Sequence, residues 1–170
     1  GADLECRRIA ADPTVIDALE RAGIAYEIME CDPELADTAA FCEAYGVDPG
    51  ESANTILVAS RRPPGHHAAC VALATTKVDV NGAVRRRLGV KKVSFAPAEL
   101  TVELTGMEIG GVTPPGLPDG IPIWVDQAVT KVDSVVIGAG TRSAKIRLRG
   151  ADLALLPGVE VVSDLAVPVA

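Results

Sequence analysis

Apolar residues recur along the chain at two spacings, and the switches between them predict the order of elements. Val15, Ile16, Leu19 and Ala22 fall on one helical face. Asp12 followed by Pro13 reads as an N-cap and a first-turn proline, with Gly23 as the stop. "IAYEIM", residues 24–29, reads as a short strand. Asp37 or Thr38 opens a second helix, "AAFCEAY", closed by Gly46, where a residue without Cβ can turn left-handed. Residues 54–60 and 68–76 are strand-like runs, and the intervening "RRPPGHH" is expected to be a connection because proline and glycine punctuate it. Asp79 caps a helix carrying Val80, Val84 and Leu88, ended by Gly89. Further on, "IPIWV", "SVVIG" and "AKIRLR" have strand length and type, "ADLALL" reads as a helical turn or two, and "VEVVS" as a last strand.

Successive strands with no helix between them imply hairpins. The expected fold is α/β of the α+β type: a curved mixed, largely antiparallel sheet or barrel flanked by helices. At 170 residues the chain is most simply one domain, 1–170, and neither an internal repeat nor a low-complexity linker divides it.

Composition changes this picture little. Hydrophobic residues make up 48% of the chain and are mainly Ala, Val, Leu and Ile, which suits a compact core and excludes disorder. The net charge of −7 argues against polyanion binding by the whole surface and leaves a local basic patch open. Cys6, Cys31, Cys42 and Cys70 lack metal-ligand spacing, so reduced, packed thiols are expected. No segment has signal-peptide form and no apolar run reaches membrane length, which leads to the expectation of a soluble, cytoplasmic protein.

The candidate chemistry is sparse. "GAGTRS", residues 138–143, follows a strand but lacks the third glycine of a dinucleotide loop. The next segment alternates like a strand, so a tight hairpin or bend is favoured. His66 and His67 are adjacent and cannot form an i, i+4 metal pair, and no nucleophile elbow is present. Arg61-Arg62, Arg85-Arg86-Arg87 and Lys91-Lys92 form either a solvated face whose charge complements a helix dipole or a patch that docks nucleic-acid phosphates. Residues 105–126, "TGMEIGGVTPPGLPDGIPIWVD", pack six glycines and prolines between Gly110 and Pro118. Such a stretch is either a plain turn or backbone shaped to lie against a ligand.

The ordered set "GGVTP" (110–114), "PIWVD" ending at Asp126, "VVIGAGTR" leading into "AKIRLRGADL", and "VDVNGAVRRRLG" resembles one family. It is similar to the YbaK/ProX family of freestanding aminoacyl-tRNA editing proteins, related to the editing domain inserted in bacterial prolyl-tRNA synthetases. The resemblance runs from about the first strand to "ADLALL", and "GGVTP" fits the family's GxxxP loop. It implies a trans-acting deacylase that hydrolyses the ester of a mischarged tRNA, with no cofactor, no metal and no protein nucleophile. The implied partner is a tRNA acceptor end carrying a small amino acid, docked by Arg61, Arg62, Arg85, Arg86 and Arg87. The implied catalytic groups are the Gly110 and Gly111 backbone with Asn54. Thr55, Pro114, Gly140, Thr141, Arg142 and Lys145 are the implied substrate-binding residues. Preorganised N–H donors on such a loop can stabilise the oxyanion that forms as water attacks.

The chain departs from the family pattern at two pocket positions. Asn54 stands where members usually carry a lysine before a threonine, and Lys145 stands where many carry an acidic residue. The alternatives left open are a changed substrate, with Lys145 replacing the lost charge across the pocket, and a non-catalytic module of the same fold. Such a module would bind an aminoacyl-tRNA end, a nucleotide or a small metabolite.

Overall fold

A computed structural model describes residues 10–169, so Cys6 lies outside the described residues. Helix α1, Pro13–Arg21, starts where the Asp12 carboxylate accepts the Thr14 N–H at 2.9 Å, and it buries Val15, Ile16 and Leu19. Strand β1 is Tyr26–Glu30 and helix α2 is Thr38–Tyr45, ended by Gly46 at φ 67°. The long hairpin β2, Ala53–Arg62, and β3, Pro64–Leu73, follows, and then the short β4, Thr76–Val78. The Asp79 carboxylate caps a wide helical turn, Val80–Val84, that runs into α3, Arg85–Leu88. After it come β5, Lys92–Phe95, and α4, Ala98–Thr105. Strand β6, Ile123–Asp126, leads directly into the one-turn helix α5, Gln127–Thr130. The remaining elements are β7, Val135–Gly138; β8, Ala144–Leu148; a 3₁₀ segment, Gly150–Leu155; β9, Val159–Val162; and β10, Ala166–Pro168.

The strands form a mixed five-stranded sheet, β5-β2-β3-β6-β9, a three-stranded sheet, β1-β8-β7, and the pair β10-β4. None closes into a barrel. In the larger sheet β5, β2 and β3 are antiparallel, whereas β3, β6 and β9 run parallel. A single parallel bridge from Ser52 to Val136 joins the two larger sheets. "GAGTRS" is the turn of the β7–β8 hairpin, in which Gly138 pairs with Lys145.

One expectation is corrected. "RRPPGHH" is not a free connection: β2 and β3 stay paired out to Arg61 and Pro64, so His66 and His67 lie within β3. The prolines sit at the hairpin's end, where a missing N–H interrupts no ladder.

The largest apolar cluster joins the buried face of α1 to β1, β8, β7 and the inner residues of β3 and β6. A second, with Val58, Cys70, Val84 and Trp124, fills the other face of the large sheet. The third, of Cys31, Ala36, Phe41, Cys42, Val47 and Val136, seats α2 beside β7. Burying a side chain such as Phe41 or Leu19 contributes about 1.5–3 kcal/mol. That burial fixes the walls between which the site opens. Cys31, Cys42 and Cys70 are buried and free of disulfides, and burial pushes the Cys70 thiol up to about 12.

Candidate active site

Where the two larger sheets meet, a cavity of about 280 Å³ opens. Its walls come from the start of α2, from Ser52 to Leu57 on β2, from Val136 to Gly138 on β7, and from Lys145 on β8. Ile109, Gly110 and Val112 of the glycine-proline loop close it. Asn54, Thr55, Gly110 and Lys145 thus share one cavity although they are far apart in the sequence.

The loop is held through its carbonyls. The Ile109 carbonyl accepts a bond from Arg142 Nη1 at 2.9 Å, that of Gly110 from Lys145 Nζ at 2.9 Å, and that of Gly111 from the Gly140 N–H at 2.7 Å. All three donors belong to the β7–β8 hairpin. In a trans peptide the N–H points opposite to the carbonyl, so each pinned oxygen also aims the next residue's amide. Gly111 donates to the Glu108 carbonyl at 2.9 Å. The Gly110 and Val112 amides have no acceptor among the described residues.

The glycines make this close docking possible. Gly110 has φ +89°, and a Cβ there would lie 2.2 Å from Arg142 Nη1. At Gly111 it would lie 2.5 Å from the Thr141 carbonyl oxygen, and at Gly138 2.7 Å from that of Gly111. Bare backbone is required on both sides of the contact.

The side chains divide into those that line the cavity and those that hold it. Asn54 Oδ1 accepts the Thr38 hydroxyl, which leaves the Asn54 NH₂ as the unspent end of the amide. The Thr55 hydroxyl is buried without a hydrogen-bond partner among the described residues. Lys145 is 6% exposed, and its ammonium sits 5.5 Å from the centre of the Phe41 ring. Loss of hydration holds it below the ordinary lysine range, an effect partly offset by Cys31, Asp37 and Cys42 and reinforced by Arg142. The lining contains no His or Cys, and its one carboxylate, Asp37, is bonded to Arg142 at 3.0 Å.

Five residues expected to contact a ligand are placed otherwise. Gly111 is outside the cavity lining and its amide is spent. Pro114 is buried and faces a different groove, beside α1. Gly140, at φ +84°, anchors the loop through its backbone, and the Thr141 hydroxyl is bonded to the Ala10 carbonyl. Arg142 bonds the Pro33 and Ile109 carbonyls and Asp37, so it straps the segment before α2 to the loop. The sequence showed these residues to be close to the site but not which way they point. Thr38, Phe41 and Val136, by contrast, line the cavity without having been singled out. Thr38 was marked only as a possible start of α2, and Phe41 and Val136 only by their fit into apolar stretches, a signal that reads as core.

Burial of Lys145 has a measurable consequence. The unfolded chain binds this proton more tightly than the folded one in the range just below the ordinary lysine value, about 10.4. Stability therefore rises with pH across that range, because the cost of burying a cation disappears as the proton leaves. In urea unfolding at stepped pH, the stability difference between the natural protein and Lys145→Met should shift in favour of the natural protein as pH rises from about 8 towards that value. A difference flat in pH would mean that the ammonium is hydrated.

The basic residues are exposed and lie mostly at one end of the large sheet. Arg62 pairs with Lys92 across β2 and β5, beside Arg61 and Lys91. Arg87 is otherwise committed, paired with Glu160 and stacked 5.1 Å from the Trp124 ring centre. No helix among the described residues is long and apolar enough to cross a membrane, and none of their His, Cys, Asp and Glu side chains form a group that could hold a metal.

The sequence profile described as the aminoacyl-tRNA editing domain matches residues 32–156. YwhH of Bacillus subtilis, an uncharacterised protein, is 34% identical over 83 residues, covering 49% of this chain and 52% of YwhH. The matched region thus spans about half the length of that relative. The crystal structure of hypothetical protein APE2540 superposes with a TM-score of 0.80 at 25% identity, covering 91% of this chain and 99% of that one. A candidate trans-editing enzyme for prolyl tRNA synthetase superposes with a TM-score of 0.74 at 23% identity over 89% of this chain and 96% of its own, a likeness of fold. The profile match takes in the cavity, the glycine-proline loop and the hairpin that pins it, and so the chain belongs to the aminoacyl-tRNA editing domain family.

Proposed function

We propose that the chain hydrolyses, in trans, the ester of a mischarged tRNA of the prolyl-tRNA editing class. The observation that carries this reading is the loop whose carbonyls are pinned by one hairpin while the Gly110 and Val112 amides remain unspent. In the proposed mechanism the aminoacyl group enters the cavity with its ester carbonyl against those amides. Water adds to the carbonyl carbon, negative charge grows on the oxygen, and donors already in place stabilise it without reorganising. On collapse the bond to the ribose oxygen breaks, and the ribose leaves as a hydroxyl carrying the proton the water gave up. The Asn54 NH₂ is a further donor to the acyl group or terminal ribose. Discrimination is steric, since one methylene in an apolar site is worth only about 1–3 kcal/mol. A tRNA substrate is consistent with a cytoplasmic setting.

The acceptor stem would lie along β2 towards Arg61, Arg62, Lys91 and Lys92. Arg62 is five residues from Leu57 at the cavity, about 16 Å along an extended strand. Arg85 and Arg86 begin α3, from which the chain returns to bond Lys91 N–H to the Arg62 carbonyl, and Arg87 acts through its packing on Trp124. Reversing Arg61, Arg62, Lys91 and Lys92 to Glu should raise KM at least tenfold with kcat nearly unchanged. It should also flatten the salt dependence of binding by about one unit of log–log slope for each phosphate no longer neutralised. A KM unchanged at low salt would rule this face out as the docking surface.

The test of the reaction is a panel of mischarged tRNAs that includes alanyl- and cysteinyl-tRNA(Pro). Loss of the ester on at least one member supports hydrolysis. Saturable binding with every ester intact would favour the second reading, a non-catalytic module for an aminoacyl-tRNA end, nucleotide or small metabolite. That reading draws on one observation: the ammonium in the cavity, that of Lys145, is engaged with the protein's own Gly110 carbonyl.

A further inference from the structure

The peptide between Gly110 and Gly111 links the two peptides that carry the unspent amides, those of Gly110 and Val112, whose own oxygens are held by Arg142 and by the Gly140 N–H. It is also among the easiest peptides to rotate, because neither flanking residue has a Cβ. Its N–H is held by the Glu108 carbonyl and its oxygen by Lys145 Nζ, each at 2.9 Å. Were the peptide to turn over, its oxygen would face the Glu108 carbonyl and its N–H would face an ammonium. Both contacts are repulsive.

Lys145 is well placed to hold this peptide. It sits in the middle strand of β1-β8-β7, paired with Met29 on one side and Gly138 on the other, so its backbone is fixed from both edges. The Phe41 ring lies against its ammonium. Gly138 leaves the space through which the loop's Gly111 and Val112 carbonyls approach β7. The charged or titratable groups around the ammonium are Cys31 after β1, Asp37 and Cys42 of α2 and its cap, and Arg142 in the hairpin turn. Of these, Asp37 is bonded to Arg142, and Cys31 is bonded through its thiol to the Asp32 carbonyl.

We propose that Lys145 is a positioning residue: its ammonium latches the Gly110 carbonyl, keeps the linking peptide from turning over, and so completes the set of bonds that holds the two amide-bearing peptides in place. It acts through the loop rather than on the substrate. The inference rests on the deacylase reading for its consequence in catalysis, but the state of the loop can be measured without any substrate.

The experiment has two readouts on the same variants. Two-dimensional amide NMR of the full chain follows Gly110, Gly111 and Val112 in the natural protein, Lys145→Met and Lys145→Arg. Met removes the donor at similar length, whereas Arg restores one. The expected result is large shifts or exchange broadening confined to the loop in Lys145→Met, returning towards the natural positions in Lys145→Arg. Single-turnover and steady-state deacylation should show kcat down by roughly 30- to 100-fold in Lys145→Met, the scale of a misplacement of about 1 Å, with KM changed by less than about threefold and part of the rate recovered by Arg. Loop signals unmoved in Lys145→Met overturn the proposal whatever happens to the rate. A rise in KM with kcat intact also overturns it and makes Lys145 a substrate contact. Should Lys145→Met fail to fold, Lys145→Arg decides: loop signals and rate scattered as in an unlatched loop, in a folded protein, would contradict the latch. A natural protein inactive on every tRNA, with loop signals that respond to Lys145→Met, overturns the deacylase reading and leaves the latch standing.

Discussion

Gly110→Ala is expected to lower kcat/KM for the best mischarged tRNA by about 100-fold or more, the scale of losing one oxyanion donor. Two effects combine at this residue. Its φ of +89° is strained for any side chain, at a cost of about 1–3 kcal/mol. The added Cβ would also lie 2.2 Å from Arg142 Nη1 and 3.2 Å from Asp37 Oδ1, so the strap between the hairpin and α2 must open. Opening it sacrifices little stability, because Arg142 and Asp37 are 26% and 73% exposed and such pairs are worth about 0–1 kcal/mol. The variant should therefore be nearly inactive while still folding, with a thermal midpoint lowered by about 2–16 °C for the combined cost of about 1–4 kcal/mol. A variant with rates within threefold of the natural protein would separate the loop from the reacting ester.

Gly111→Ala should do the opposite, damaging the fold at least as much as the reaction. Gly111 has no left-handed φ, so the argument is purely one of space. Its Cβ would lie 2.5–2.7 Å from the Thr141 oxygen, carbon and nitrogen, all backbone atoms that cannot swing aside. Loop and hairpin must part, and the 2.7 Å bond from the Gly140 N–H to the Gly111 carbonyl goes with them. Overpacking of this kind costs about 1–3 kcal/mol and the broken hydrogen bond about 1 more. At roughly 2–4 °C per kcal/mol for a chain of this size, the midpoint should fall by about 4–16 °C. A thermal melt followed by circular dichroism checks this. A midpoint within about 2 °C of the natural protein, less than 1 kcal/mol on that scale, would show that the hairpin does not clamp the loop.

The contrast between these two adjacent glycines marks how far the sequence can be read. That the stretch from Gly110 to Pro114 is shaped backbone is visible in its composition. Which amide is free and which is spent is not, because that depends on Glu108, Gly140, Arg142 and Lys145, three of them arriving from another hairpin. Local signals carried the elements with strong punctuation. Asp12-Pro13 and Gly23 bound α1, Gly46 and Gly89 close their helices in the left-handed conformation, and the missing third glycine correctly makes residues 138–143 a hairpin turn.

Several elements had no expectation, among them β5, α4, the one-turn helix α5 and β10, which follows the run "VEVVS" expected to be the last strand. Strand β5 is four residues long behind two lysines, and it is a strand because β2 offers its other edge, from Val58 to Arg62, for pairing. Helix α4 did leave a signal: Pro97 before it, Glu99 in its first turn and Gly106 at φ 69° after it. Arg142 illustrates the harder limit. An arginine in a glycine turn beside a pocket suggests a ligand contact, yet its partners Pro33, Asp37 and Ile109 lie more than 30 residues away and take up its Nε and Nη1.

In the proposed mechanism main-chain amides, set by a rigid hairpin, receive the acyl oxygen. Its most direct measurement is an amide NMR titration of the natural protein with a non-hydrolysable analogue of the tRNA 3′ end, an aminoacyl group joined to the terminal ribose through an amide. The Gly110 and Val112 amide signals should move downfield as the analogue saturates, while that of Gly111, already bonded to Glu108, barely shifts. Saturable binding that leaves both signals in place, or that moves residues of the groove beside α1 instead, would contradict this mechanism.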